Sequence, residues 1–287
     1  MASKTADQQR PGELEARLDR QLRAWSVEVE HVIETRTSSI VFGRRGSLPV
    51  VLKVAVKPGT DEWRAGAVLA AFRGRGTARV YEQGDGATLM ERIEPGTPLV
   101  ELVNEGRDQA ATGILAELLA SMDPAPREGE ISTVERWSEG FARYAASGDP
   151  RIPGDLLSLA RRAHDELSRS QSRRRLLHGD LQHCNVLLDR QRGWLAIDPK
   201  GVIGEVEYEL GASLRNPTGR PDVFAEPAII ERRVKQLASG LALDERRILG
   251  WAFAQGVLSA VWSAEDGEPV TDRHAGLLVA KAIRPML

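Results

Sequence analysis

Residues 176–201 constrain this chain more than any other part of it. Short apolar runs at Leu176-Leu177, Val186-Leu187-Leu188 and Trp194-Leu195-Ala196-Ile197 stand among longer stretches patterned as helices. Bounded by Gly, Asp and Asn, they read as strands of a compact insert over residues 176–197. The polar residues between them run His178-Gly179-Asp180, then Asn185, then Asp198-Pro199-Lys200-Gly201. A tight loop can present Asp180 and Asn185 on the same side of a cleft, and the hairpin that follows returns Asp198 beside Asn185.

Around this insert the chain divides in two. Leu14, Leu18, Leu22 and Trp25 recur at helical spacing over residues 11–25. Alternation then takes over: Val27, Val29, His31 and Ile33 share one face of an expected strand, and further strands are expected at 40–42, 49–56, 78–82 and 87–93, with a turn at 43–46. Residues 61–72 read as a helix with Asp61 and Glu62 at its favoured N-terminal end. Glu94-Pro95-Gly96-Thr97-Pro98 is a natural hinge. Beyond it, helices are expected at 99–122, 132–146, 154–170, 227–239, 244–264 and 271–283. The expected fold class is α+β and bilobal, with a small β-rich N-terminal lobe (residues 1–93) and a larger α-helical C-terminal lobe (94–287).

Composition removes several other classes. The 287 residues carry 39 Lys and Arg against 41 Asp and Glu, a formal charge of −2 that argues against a DNA-binding role. The single cysteine, Cys184, excludes an intrachain disulfide framework and fits a reducing cytoplasm. Residues 1–13 form a polar leader without the apolar core of a signal peptide. The longest uncharged stretch, 248–264, falls short of the ~20 apolar residues a membrane span needs and reads as a buried helix.

The order His-x-Asp, Asn, then Asp at the end of an apolar strand supplies the parts that phosphoryl transfer from ATP requires: a carboxylate to receive a hydroxyl proton, and hard oxygens to hold Mg²⁺ against the phosphates. His-x-Asp by itself is weak; its combination with Asn185 and the Ile197-Asp198 strand end is specific. The alternative, that these are ordinary polar loop residues, leaves their joint spacing unexplained. No Gly-x-x-x-x-Gly-Lys-Ser/Thr occurs, which excludes a P-loop.

With these residues the chain resembles the kinase-like phosphotransferases, and within them the aminoglycoside phosphotransferases of the streptomycin 6-phosphotransferase and hydroxyurea-resistance kinase branch. The run from Arg192 to Gly201, the Leu214-Arg215-Asn216-Pro217 run and the run from Glu91 to Gly96 carry the likeness, which covers most of the chain. The resemblance implies a protein-kinase-like fold, ATP and Mg²⁺, Asp180 as catalytic base, His178 as brace of the catalytic loop, and Asn185 and Asp198 as metal ligands. It also implies that Glu91 and Ile93 present backbone groups to adenine.

Lys53 lies in a strand-like run where Val51 and Lys53 share a face, similar to the kinase strand whose lysine reaches the phosphates while the residue two before it roofs the adenine. Glu62, the only glutamate between Lys53 and Phe72, is the candidate partner of that lysine. In place of a glycine-rich loop stands Thr35-Arg36-Thr37-Ser38-Ser39, similar to the Ser/Thr loops of aminoglycoside kinases, with Ser38 and Ser39 expected at the phosphates.

Gly179 replaces the arginine of the protein-kinase His-Arg-Asp, and no Ala-Pro-Glu follows, so a small-molecule hydroxyl acceptor is expected instead of a protein. Glu205 and Glu209 are read as an acidic rim for a cationic acceptor such as streptomycin, phosphorylated at its 6-hydroxyl. Hydroxyurea or another small metabolite is the alternative acceptor, and a nucleotide-binding module without transfer activity is the alternative outside catalysis. Trp137, Trp251 and Trp262 read as core residues, and the chain as a monomer or weak dimer.

Overall fold

A computed structural model describes residues 11–122, 124 and 131–287; most of the expected leader over residues 1–13 lies outside them. Helix α1 (Pro11–Ala24) precedes an antiparallel five-stranded sheet of β1 (Glu28–Glu34), β2 (Ser38–Arg45), β3 (Leu48–Ala55), β4 (Val80–Gly84) and β5 (Ala87–Glu91), in the order β1-β2-β3-β5-β4. Helix α2 (Asp61–Ala71), capped by the Thr60 hydroxyl, joins β3 to β4.

The central strand β3 shows why the sheet forms. Val50, Leu52 and Val54 are fully buried in a cluster against which Leu14, Leu18 and Leu22 of α1 pack. Burial of each such side chain contributes about 1.5–3 kcal/mol. Val51 and Lys53 alternate onto the opposite face. The alternation in β1 does not bury a face: the strand is exposed along its length, with Val29 at 49% and Ile33 at 42%, because it is the edge strand of the sheet.

The hinge folds as a strand, β6 (Pro95–Pro98), so the connection between the lobes is pinned to the larger one. Helices α3 (Val100–Asn104) and α4 (Asp108–Ser121) follow. The expected single helix over 99–122 is broken between them, where Gly106 takes φ +77°. Then come β7 (Ser132–Thr133), α5 (Val134–Ser147), α6 (Gly154–Arg169) and β8 (Arg175–Leu177). A 3₁₀ turn at His183–Asn185 leads into the hairpin β9 (Val186–Asp189) and β10 (Gly193–Ala196). Strand β11 (Val202–Gly204) and helices α7 (Val206–Leu214), α8 (Pro221–Phe224), α9 (Pro227–Leu241), α10 (Glu245–Glu265) and α11 (Ala275–Ile283) complete the lobe. Small sheets of order β10-β9-β6 and β7-β11-β8 lie among these helices.

Helix α10 is the axis of the large core. Ile248, Trp251, Phe253, Val257, Leu258 and Val261 are all 0% exposed. No helix of the described residues is long and apolar enough to cross a membrane. Asp108 of α4 binds Arg232 and the 2% exposed Arg233 of α9, and Arg233 also donates to the Asn216 carbonyl at 2.9 Å, tying α4, α9 and the end of α7 together.

His164 of α6 is buried edge-on against Trp251 at 5.0 Å, and burial pushes its pKa down to about 4. The unfolded chain therefore takes up a proton that the folded protein refuses. This contribution to stability is present above about pH 6.5 and is lost as pH falls toward 4. Substituting His164→Phe should flatten the acid limb of stability against pH by one proton, about 1.4 kcal/mol per pH unit, in urea unfolding at about pH 6 and pH 5. An unchanged slope would contradict this assignment.

Candidate active site

Strand β8 delivers the chain into the loop that carries His178, Asp180 and Asn185. The His178 Nδ1 accepts the Asp180 N–H at 3.3 Å, so Nε2 carries the ring proton and donates it to the Ile197 carbonyl at 2.9 Å. Burial holds the His178 pKa down at about 4, which keeps this neutral form in place. The ring thus links the loop to the end of β10, and the Ile197 N–H to Asn185 carbonyl bond of 2.9 Å makes a second link. Asn185 Nδ2 donates to the Asp180 carbonyl at 2.9 Å and to Asp180 Oδ2 at 3.0 Å. Gly179 takes φ +83°, and a Cβ there would stand 3.1 Å from the Trp137 ring and 3.2 Å from the Gly201 nitrogen, so the loop can pass only with glycine.

Two expectations are corrected here. Glu209 does not face a substrate. It is 1% exposed within α7, and its carboxylate accepts the Gly179 N–H at 2.9 and 3.0 Å and the Leu181 N–H at 3.0 Å. Burial pushes its pKa up to about 7, against the pull of those amides. Glu205 is likewise 1% exposed, bound to Arg247 at 2.9 Å and to the Trp251 indole. The acidic stretch after Asp198 is interior framework: Glu209 fixes the loop that carries Asp180 and Glu205 fixes α10.

Between the lobes, Lys53 Nζ lies 2.6 Å from Glu62 Oε2 and bonds Asp198. The other oxygen of Glu62 holds Lys200. Lys53 and Glu62 are 12% and 10% exposed, so little water screens the cluster. Burial pushes the Asp198 carboxyl up, but Lys53 and Lys200 outweigh it and hold the group below its ordinary value. Asp198 also takes φ +59°, a left-handed conformation that asparagine and aspartate tolerate better than other side chains. Burial raises Asp180, opposed by Arg215 at 3.6 Å and by Lys200. Asn185 and Asp198 offer an amide oxygen and a carboxylate, hard donors suited to Mg²⁺. Among the described residues no group of three or more His, Cys, Asp or Glu could form a fuller cage.

On the nucleotide side, Val51 packs with Met90, Ile93, Leu187 and Ile197 in an apolar cluster between the lobes. Glu91 ends β5; its N–H bonds the Arg79 carbonyl at 2.9 Å, and its side chain accepts the Arg79 N–H at 2.8 Å and binds Arg192. Ile93 is 8% exposed. Ser38 and Ser39 are not loop residues. Both are buried in β2, with the Ser39 hydroxyl donating to Glu34 at 2.7 Å and the Ser38 hydroxyl 3.1 Å from that of Thr35. The tip of this turn is Arg36 and Thr37; the Arg36 side chain reaches Glu268 at 3.0 Å and the Thr37 carbonyl accepts the Val56 N–H at 2.8 Å.

Beside Asp180 opens a cavity of about 380 Å³ lined by Asp61, Trp137, Gly179, Lys200, Arg215, Trp262, Glu265 and Asp266. The Trp137 and Trp262 rings stand edge-to-face at 5.3 Å. Only Trp251 of the tryptophans expected in the core is fully buried. Helical spacing placed Trp137 and Trp262 on the inward face of α5 and α10 but could not show that this face ends at a cavity. Lys200, Arg215 and the acidic trio of Asp61, Glu265 and Asp266 carried no signal beyond their charge; Lys200 and Arg215 lie in runs already singled out for their likeness.

The two lobes, the Lys53–Glu62 pair and the loop bearing Asp180 and Asn185 before Asp198 are the frame of a protein-kinase-like phosphotransferase. The family model for aminoglycoside/hydroxyurea antibiotic resistance kinases matches residues 8–267, and the chain belongs to that family. It is 34% identical over 243 residues to a streptomycin 3''-kinase of Klebsiella pneumoniae, covering 82% of this chain and 88% of the relative. It is 29% identical over 289 residues to a streptomycin 6-kinase of Streptomyces glaucescens, covering 96% and 89%. A hydroxyurea phosphotransferase of Kitasatospora aureofaciens is 33% identical over 220 residues, covering 72% and 61%. Among solved structures, an aminoglycoside phosphotransferase in ternary complex with AMP-PNP and hygromycin B shares the fold, with a TM-score of 0.63 at 17% identity over 93% of this chain and 97% of that one.

Truncating Glu209→Ala would strand the buried Gly179 and Leu181 amides. The expected loss is about 3 kcal/mol of stability in urea unfolding. A loss under about 1 kcal/mol would contradict a stabilising role for these hydrogen bonds.

Proposed function

We propose that this chain is an ATP- and Mg²⁺-dependent O-phosphotransferase acting on a hydroxyl of a small cationic antibiotic, with the 6-hydroxyl of streptomycin as the first candidate. The observation that carries the reading is the placement of Asp180 between the cluster of Lys53, Glu62 and Asp198 and a cavity walled by tryptophan and carboxylate. Asp180 receives the acceptor proton, and its burial-raised pKa makes it a better base than an exposed aspartate. Lys53, oriented by Glu62, holds the phosphates, and the backbone of the turn at Arg36 and Thr37 covers them. Asn185 and Asp198 would hold Mg²⁺, which neutralises phosphate charge when bound. Most of the rate comes from positioning and electrostatics.

The acceptor side favours a cation. Asp61, Glu265 and Asp266 line the cavity and each carries an arginine, Arg64 at 2.6 Å, Arg143 at 2.8 Å and Arg36 at 3.5 Å. Lys200 and Arg215 line the same cavity, so a cationic acceptor such as the streptidine ring of streptomycin would have to exchange its guanidinium groups for those of the resident arginines; the indole faces of Trp137 and Trp262 attract cations. Hydroxyurea is the second reading, supported by the 33% identical relative. It is small and uncharged and would leave the acidic wall unused.

Purified protein with Mg·ATP and each acceptor, followed by mass spectrometry and NMR of the product, tests the proposal. A phosphate on the streptomycin 6-hydroxyl is expected. A product at the 3''-hydroxyl would correct the position while keeping the acceptor class, and phosphorylation of hydroxyurea alone would overturn the cationic reading. Binding of Mg·ATP with no acceptor phosphorylated would overturn the enzyme. Asp180→Asn should lower kcat by about 10³-fold with ATP affinity within about threefold. Trp262→Ala should raise the streptomycin KM about tenfold with kcat little changed.

A further inference from the structure

We infer that Lys200 is a catalytic residue that binds the phosphoryl group during its transfer, from the acceptor side, as Lys53 binds it from the nucleotide side. The inference rests on the phosphotransferase reading above and adds a residue that the expected set of Lys53, Asp180, Asn185 and Asp198 did not contain.

Three features of the structure carry it. First, position: Lys200 lines the acceptor cavity together with Asp180, whereas its ammonium is held by Glu62, the same carboxylate that holds Lys53. Lys200 therefore spans the gap between the acceptor and the phosphate-binding lysine, the space a phosphoryl group crosses. Second, backbone anchoring: the Lys200 N–H and the Gly201 N–H both donate to the His178 carbonyl at 2.9 Å. The residue is fixed to the loop that bears Asp180, so base and ammonium keep a constant relation. Third, charge: the Lys200 ammonium is paired with Glu62 in a cluster that Lys53 and Asp198 complete, so the site already gathers two ammonium groups where a phosphoryl group would pass. At 31% exposed its side chain is reachable from the cavity.

The step is balanced without Lys200 losing its proton. The bond between the γ-phosphorus and the oxygen bridging it to the β-phosphate breaks, a bond forms from that phosphorus to the acceptor oxygen, the hydroxyl proton passes to Asp180, and ADP leaves. In a loose transition state the charge spreads over the three equatorial oxygens of the moving group. A second ammonium, held on the same carboxylate as Lys53 and carried by a residue that lines the acceptor cavity, adds to the stabilisation of that charge.

Lys200→Met and Lys200→Arg test the inference, with the affinities for Mg·ADP and for Mg·ADP with aluminium fluoride, a mimic of the moving phosphoryl group, measured beside turnover. Lys200→Met should lower kcat about 10²-fold, with the acceptor KM and the ADP affinity within about threefold. It should also remove most of the extra affinity that aluminium fluoride gives to the ADP complex, and Lys200→Arg should restore about a tenth of the lost rate. A kcat within about threefold of wild type, or ADP binding weakened as much as the aluminium fluoride complex, would overturn the inference and leave Lys200 a structural counter-ion of Glu62. Should Lys200→Met fail to fold, Lys200→Arg decides by the same ratio of the two affinities. The phosphotransferase reading fails separately, when wild-type protein transfers phosphate to no acceptor.

Discussion

One carboxylate holds the cleft together. Glu62 projects from the first turn of α2 and binds Lys53 of β3 with one oxygen and Lys200 with the other, and Asp198 completes the cluster by bonding Lys53. The strand and helix belong to the small lobe and the other two residues to the large one, so the electrostatics of the site join the lobes alongside the apolar cluster of Val51, Leu187 and Ile197. Buried ions cost several kcal/mol each to desolvate, and removing one partner from such a group costs about 3–5 kcal/mol because the rest is left uncompensated. The cluster is therefore retained as a set, and a nucleotide bringing its own negative charge would enter a region already arranged for it.

Around this cluster the large lobe supplies rigidity. The neutral His178 ring, the Asn185 amide and the Glu209 carboxylate each bond a different part of the loop that carries Asp180. None of these bonds is to a substrate. They hold Asp180, the proposed base, and the left-handed Asp198 in place, which is where preorganisation has to be built before any ligand arrives.

The polar residues between short strands were legible in the sequence because no packing role accounts for them, and the Lys53 and Glu62 pair was legible because only one glutamate is available on α2. The acidic residues were misread for a physical reason. Glu205 and Glu209 look like a charged surface when counted along the chain, but α7 is buried from Glu207 to Leu214, and a carboxylate in such a helix must find internal partners. Ser38 and Ser39 lie in the strand and not in the turn, since β2 begins two residues before the expected strand at 40–42. The acceptor cavity was invisible for a different reason. Its walls come from α2, α5, the loop after β8, the loop after β10, the end of α7 and α10, and spacing within one segment cannot report which distant segments share a cavity.

The central claim is that Lys53 and Glu62 act as one unit in placing the nucleotide. A double-mutant cycle on kcat/KM for ATP, with Glu62→Gln, Lys53→Met and both together, tests it most directly. The account predicts that the double variant is about as impaired as the worse single variant, a coupling of at least ~1 kcal/mol. Single effects that multiply in the double variant would contradict it.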